Sequence, residues 1–275
     1  MMAGRRLRTL LLWSALVVAG SAALIPGALR AAEPASPSSR LDPLLDRTAA
    51  TVEASLQQLS DVACKETVSQ VKFGKNGKVE YEEHSLFDYV VLFQSSSSEP
   101  VMVESRLAKE GPSKPKNISL LLTNGFSTRF LIFHPYYAGG FQFADLGEEV
   151  VDGRVSVKVH FEHVKGLRST TALMVSGREY PMDLQGTALI DKASGTILKI
   201  SAALETPMDD VGLRSFQSEI QYAPVKFPGV PDAYWLPTAA TIDVESLHQH
   251  WRNLHRFTDY HRFETSVKET IGSTP

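Results

Sequence analysis

From Val62 to near Glu264, apolar side chains return at almost every second position, and no other feature of the chain constrains its fold as strongly. Successive side chains leave a pleated backbone on opposite sides, so a period of two is the signature of a strand with one covered face. Val62–Phe73 and Lys78–Phe93 flank Gly-Lys-Asn-Gly-Lys, where Asn76-Gly77 is a strong hairpin signal. The second of these strands ends in LFDYVVLFQ, apolar on both faces, and is expected to be central and covered. Val101–Leu107 supplies a further strand, with loops at Ser95–Pro100 and Ala108–Lys116. Phe141–Val151 and Val155–Val164 turn at Asp152-Gly153, and Gln185–Asp191 returns through Lys192–Gly195 into Thr196–Leu204. In that return strand Leu198, Ile200, Ala202 and Leu204 are expected to share a face. Arg214–Lys226, Tyr234–Val244 and His250–Glu264 complete about ten strands, read as a continuous antiparallel meander with one face in water.

Against this stands one substantial helix. Asp42 is placed to cap it, Pro43 suits its first turn, and Leu45, Ala49, Val52, Leu56 and Leu59 recur at helical spacing over about 17 residues, or about 25 Å. A short second helix is expected at Ser127–Phe133, ended by Pro135, and the residues from Met174 to Met182 read as loop. The class is therefore mostly β (α+β). One helix cannot cover the apolar face of ten strands, so the sheet must curl onto its own side chains or keep an apolar groove for a ligand.

The N-terminus addresses the chain to export. Met1 to about Ala32 carries arginines and no acid, then the apolar run Leu10–Ile25, then small residues: the pattern of a cleaved signal peptide. The expected division is 1–32 signal peptide, 33–41 flexible spacer rich in Pro, Ser and Ala, 42–266 a single domain, and 267–275 a tail. Cleavage leaves no transmembrane anchor and removes four arginines, so 24 basic residues face 31 acidic ones, a net charge of −7. That balance argues against nucleic acid as a partner. The single cysteine, Cys64, forbids an internal disulfide and lies too far along the chain for lipidation at the cleavage site.

No residue set points to catalysis. There is no G-x-S-x-G and no H-E-x-x-H, and the S-x-x-K matches at Ser69 and Ser113 lie in a strand and a loop. His248 and His250, two apart on one expected strand face, could chelate a metal only with a third ligand that nothing in the sequence places. The acidic pairs Glu82-Glu83, Glu148-Glu149 and Asp209-Asp210 are adjacent residues that point apart along a strand, and solvation at turns and edges accounts for them. No catalytic residue, metal ligand or cofactor is assigned.

The hairpin ALIDKASGTILKISAAL, with its Asp-Lys-x-x-Gly-x-Ile-Leu-Lys pattern at Asp191–Lys199, together with Trp235-Leu236-Pro237 and the terminal RNLHRFTDYHRFE, resembles the LolA/LolB-like periplasmic lipoprotein-carrier superfamily over roughly Val62–Glu264. The resemblance implies a strongly curved antiparallel sheet forming an incomplete barrel, capped by the N-terminal amphipathic helix and the short second helix, around a hollow that receives acyl chains. On that pattern the ligand-binding candidates are Phe87, Tyr89, Val91, Phe93, Val157, Val159, Phe161, Leu198 and Ile200 in the wall, with Leu56 and Leu59 in the lid. The implied partner is a lipid or other hydrophobic small molecule, in a periplasmic or secreted, non-enzymatic protein. An envelope interaction module that binds another envelope protein is the alternative, and a metal-dependent hydrolase the least favoured reading.

Overall fold

The computed structural model describes residues 37–94, 99–110, 129–175 and 177–263. The leader expected over 1–32 and the tail over 267–275 lie outside them. Helix α1 (Pro37–Ser60) begins five residues before Asp42, so Pro43 sits within the helix and the expected spacer ends early. Pro43 lacks only the bond back to residue 39, one turn from the helix end, where the loss is least disruptive. The deepest stripe of α1 is Leu41, Leu44, Thr48, Val52, Leu56 and Leu59. Leu45 and Ala49 flank that stripe and are half-buried. Thr48 is tolerated in the stripe because its hydroxyl donates to the Leu44 carbonyl at 2.8 Å.

Among the described residues twelve strands follow: β1 (Val62–Phe73), β2 (Val79–Gln94), β3 (Val101–Glu110), β4 (Phe141–Val151), β5 (Arg154–His163), β6 (Ala172–Val175), β7 (Arg178–Pro181), β8 (Leu184–Asp191), β9 (Ile197–Leu204), β10 (Leu213–Val225), β11 (Tyr234–Ser246) and β12 (His250–Arg262). Ten form one antiparallel sheet in the order β3-β2-β1-β12-β11-β10-β9-β8-β5-β4, while β6 and β7 pair separately. The short β6–β7 hairpin occupies the stretch expected to be loop. The meander is also not continuous, since β1 pairs with β12 and joins the two ends of the domain in mid-sheet. Turns follow the sequence signals closely. Asp152 and Gly153 both adopt positive φ, at 50° and 76°, as a two-residue hairpin loop requires.

The expected second helix is a 3₁₀ turn at Arg129–Phe133 followed by helix α2 (Pro135–Ala138). Pro135 starts α2 instead of ending a helix, because its fixed φ suits the first helical position. His134 caps α2, its Nδ1 accepting from the Tyr136 amide at 3.1 Å.

Curvature follows from what α1 touches. It packs against β2, β11 and β4 together with the 3₁₀ turn. In a flat sheet β2 and β4 would be eight strand spacings apart, about 38 Å, and the edge strands β3 and β4 nine, about 43 Å, yet Tyr137 beside β4 lies 3.3 Å from Glu99 beside β3. The sheet must therefore curl around the helix. Among the described residues its edges approach without pairing: the hydroxyl of Tyr137, just before β4, donates to Glu99 Oε1, just before β3, at 3.3 Å. The result is an incompletely closed barrel, as the fold class expected.

Candidate functional site

The inner face of the barrel takes one parity from each strand. On β2, Tyr89 and Val91 are buried, Phe87 is half-buried and Phe93 packs partly exposed against the core. Val157, Val159, Phe161 and Ile200 are buried on the same side, under Leu56 and Leu59 of α1. Ten of the eleven residues singled out in the sequence thus face one interior. Leu198 does not join them. A bulge at Leu189/Ile190 pairs Ile190 with Ile197 and Leu189 with Lys199, which turns Ile197 into the core. Leu198 instead borders a depression of about 510 Å³ with Val151, Lys199, Gln221 and Trp235. The expectation for β2 as a covered central strand also fails on its outer side. β2 is next to the edge, and Leu92 and Val103 of β3, paired across the two strands, stand 46% and 41% exposed.

Interior chemistry changes across the sheet. From β4 to β11 the inner face is mostly aliphatic and aromatic, with Phe141, Phe143 and Phe161 clustered at 6.2–6.4 Å between ring centroids. From β12 to β3 it turns polar. One rung can be followed through the register: Glu83, Gln70, Asn253, Ile242, Ser218, Ala202, Gly186, Phe161 and Phe143. Glu83, Gln70, Asn253 and Ser218 are all buried. Glu83 corrects the reading of the Glu82-Glu83 pair as solvated: Glu82 faces out, but Glu83 turns inward, accepting from the Tyr81 hydroxyl.

The next inward residues of this polar wall form an ion network. Glu66 of β1 meets Arg106 of β3 at 3.0 Å and His255 of β12 at 2.8 Å, and Arg106 reaches Glu104 at 3.2 Å. Burial would raise the Glu66 carboxyl, but hydrogen bonds and charge from His255 and Arg106 outweigh it and hold the group below the usual carboxylate range. Cys64, two residues away, is driven by burial up to about 12, which disfavours a thiolate nucleophile.

Arg129, at the start of the 3₁₀ turn, is a functional candidate that sequence reasoning missed. It is 3% exposed, its Nη1 donates to the Thr171 hydroxyl, and its guanidinium lies 5.7 Å from the Phe216 ring. Among the described residues no carboxylate stands within ion-pair distance of it, and its Nε has no acceptor. Burial pulls the guanidinium down to about 10, with Tyr222 and Glu104 only partly offsetting the effect. The only sequence signal was a cation between an apolar stretch and Phe-Leu-Ile-Phe.

The two patterns behind the family resemblance meet beside α1. Asp191 Oδ1 accepts from the amides of Ala193 and Ser194 at 3.1 and 2.8 Å, fixing the turn. Arg47 and Thr51 of α1 donate to the carbonyls of Lys192 and Ser194 at 3.0 and 3.2 Å. Arg154 links Asp191, at 3.3 Å, to the face of Trp235, at 5.3 Å. The patterns therefore seat the helix on the barrel.

Among the described residues no group of three potential metal ligands gathers. His248 lies in the turn before β12 and not on its face, while His250 binds Asp243 at 2.8 Å. A polar trough of about 740 Å³ on the outward side, lined by residues such as His160, Gln185, Glu219 and Arg252, contains none of the sequence candidates. No helix of the described residues is long and apolar enough to cross a membrane.

No family model matches the chain, and no curated protein does. Three solved structures are similar in course. A DUF1329 family protein from Desulfovibrio piger is 12% identical, covering 86% of this chain and 95% of that one with a TM-score of 0.40. A protein from Vibrio parahaemolyticus described as an outer membrane lipoprotein-sorting domain is 13% identical, covering 82% and 94% with a TM-score of 0.40. A LolA superfamily protein from Nitrosomonas europaea is 10% identical, covering 79% and 94% with a TM-score of 0.31. Likeness of this degree concerns the course of the chain and says nothing about a ligand.

Proposed function

We propose that this chain is an exported, non-enzymatic carrier or receptor that takes a lipid-like or other hydrophobic ligand, such as a lipoprotein acyl chain, into its half-barrel. The seam between β3 and β4 carries the reading. There, among the described residues, β3 and β4 share no ladder of the kind a closed barrel would have, the Tyr137 hydroxyl donates to Glu99 across the gap, and Phe93, Met102, Tyr136 and Phe143 are only partly buried beside the core. An acyl chain entering there would reach Phe87, Tyr89, Val91, Val157, Val159, Phe161 and Ile200, beneath Leu56 and Leu59. Each methylene buried would contribute about 0.8 kcal/mol. The leader pattern of residues 1–32 supports a periplasmic or secreted location.

Native mass spectrometry of gently purified protein, followed by solvent extraction, tests the proposal. A bound lipid released on extraction is expected; protein that stays empty from every growth condition, and takes up no added lipid, would sink it. A second reading, an envelope interaction module, is favoured by the exposed Leu92–Val103 pair with Leu107 beyond it. Leu92→Ser with Val103→Ser would abolish complex formation in that case, and would leave lipid uptake unchanged in the first.

A further inference from the structure

Resting on the carrier reading, we infer that the ligand is an anionic amphiphile whose charged oxygens are received by Arg129 beside Ser218, on the inner face of β10. A cation taken out of water without a counter-ion is costly, and proteins normally provide it with a carboxylate. Arg129 has none among the described residues. Glu104, the carboxylate whose charge reaches Arg129 from a distance, is itself held by Arg106 at 3.2 Å. The guanidinium uses Nη1 on Thr171 and leaves Nε without an acceptor.

The hydroxyl of Ser218 is likewise buried without a partner. Ser218 follows Phe216 by two residues on the same face of β10, and the Arg129 guanidinium lies against the Phe216 ring. Two unmet polar groups of suitable chemistry thus border an otherwise apolar wall. A carboxylate or phosphate oxygen can accept from both, and the planar guanidinium fork favours such anions over a neutral hydroxyl. The chain's overall negative charge repels anions at long range, so the preference must arise from the buried contact. It should therefore persist at high salt, where surface attraction is screened.

The test compares hexadecanoic acid, hexadecyl phosphate and hexadecan-1-ol, three ligands with one chain and different heads, by calorimetric titration of the purified protein in low and high salt. Either or both anions are expected to bind about tenfold to a hundredfold more tightly than the alcohol, in both salts. Which anion binds better separates a fatty-acid from a phospholipid source. Arg129→Met should erase the preference while leaving the alcohol's affinity as it was, and Ser218→Ala should reduce it. Equal binding of all three heads by the wild type would overturn this inference and leave the carrier reading standing, as would a preference that survives Arg129→Met. Binding of none of them would overturn both. If Arg129→Met does not fold, Arg129→Lys replaces it: a partial loss of preference supports the inference, and an undiminished preference in Arg129→Lys and in Ser218→Ala refutes it.

Discussion

Glu66 ties three strands together at one point, since its carboxylate on β1 receives Arg106 from β3 and His255 from β12. Removing one member leaves a buried charge without its partner. Arg106→Met is expected to cost about 3–5 kcal/mol in urea unfolding, whereas Glu66→Leu combined with Arg106→Met should recover part of that loss. Acid acts on the same residue. Because the Glu66 carboxyl is held low in the folded state, its contribution is complete above the carboxyl's unfolded value and disappears as pH falls through the lower folded one. His134 is shifted in the same direction, mainly by burial, with Glu53 opposing. A histidine held low stabilises fully above its ordinary value near 6.5 and loses that contribution as pH falls below it. Protonation of Nδ1 would also remove the acceptor that caps α2. Hydrogen exchange at residues 135–138 should therefore quicken as pH falls below about 6.5, beyond its intrinsic trend, and His134→Asn, which keeps a capping acceptor, should lose this response.

Among the elements, the turn between β8 and β9 decides where α1 sits. Gly195 has φ +77°, and a Cβ there would stand 2.8 Å from the backbone of Arg47 and Thr48. Gly195→Ala should cost about 1–3 kcal/mol, and protease cleavage within α1 should rise as the helix loses its seat. The sequence made this turn visible through its Asp-Lys-x-x-Gly pattern, just as Asn76-Gly77 and Asp152-Gly153 marked hairpins through residues that accept positive φ. Parity on β2, β5 and α1's lid was legible for the same reason: alternation and helical spacing are written in side-chain type. Leu198 was not, because a bulge depends on what the neighbouring strand offers and leaves no mark in a period of two. Nor was the inward turn of Glu83, since a charge on a strand reads as solvent-facing until its partners are known. The β6–β7 hairpin has only four residues per strand, too few for a period to declare itself.

At the scale of the whole molecule, the incomplete barrel was foreseeable from the excess of apolar strand surface over helix, but the strand order and the seam were not. Pairing over long sequence separations is decided by the assembled sheet, and Tyr137 and Glu99 each look ordinary where they stand. Their contact gives a clear expectation for the carrier reading. Tyr137→Phe should lower stability by no more than about 1 kcal/mol yet speed ligand uptake in stopped-flow measurements, because it removes the latching hydroxyl and keeps the ring that packs in the core. Phe161→Ala, by contrast, opens the packed interior itself and should cost about 3–5 kcal/mol by urea unfolding.

The pairing of β1 with β12 has a consequence in time. Lys65 meets Asp259 across 194 residues, so the first strand must wait for the last before it gains its second neighbour. Such distant pairing makes folding slow. A chain that emerges from the ribosome N-terminus first therefore holds β1 with one side unpaired until β12 is made, and the sheet can be completed only after nearly the whole domain has been synthesised.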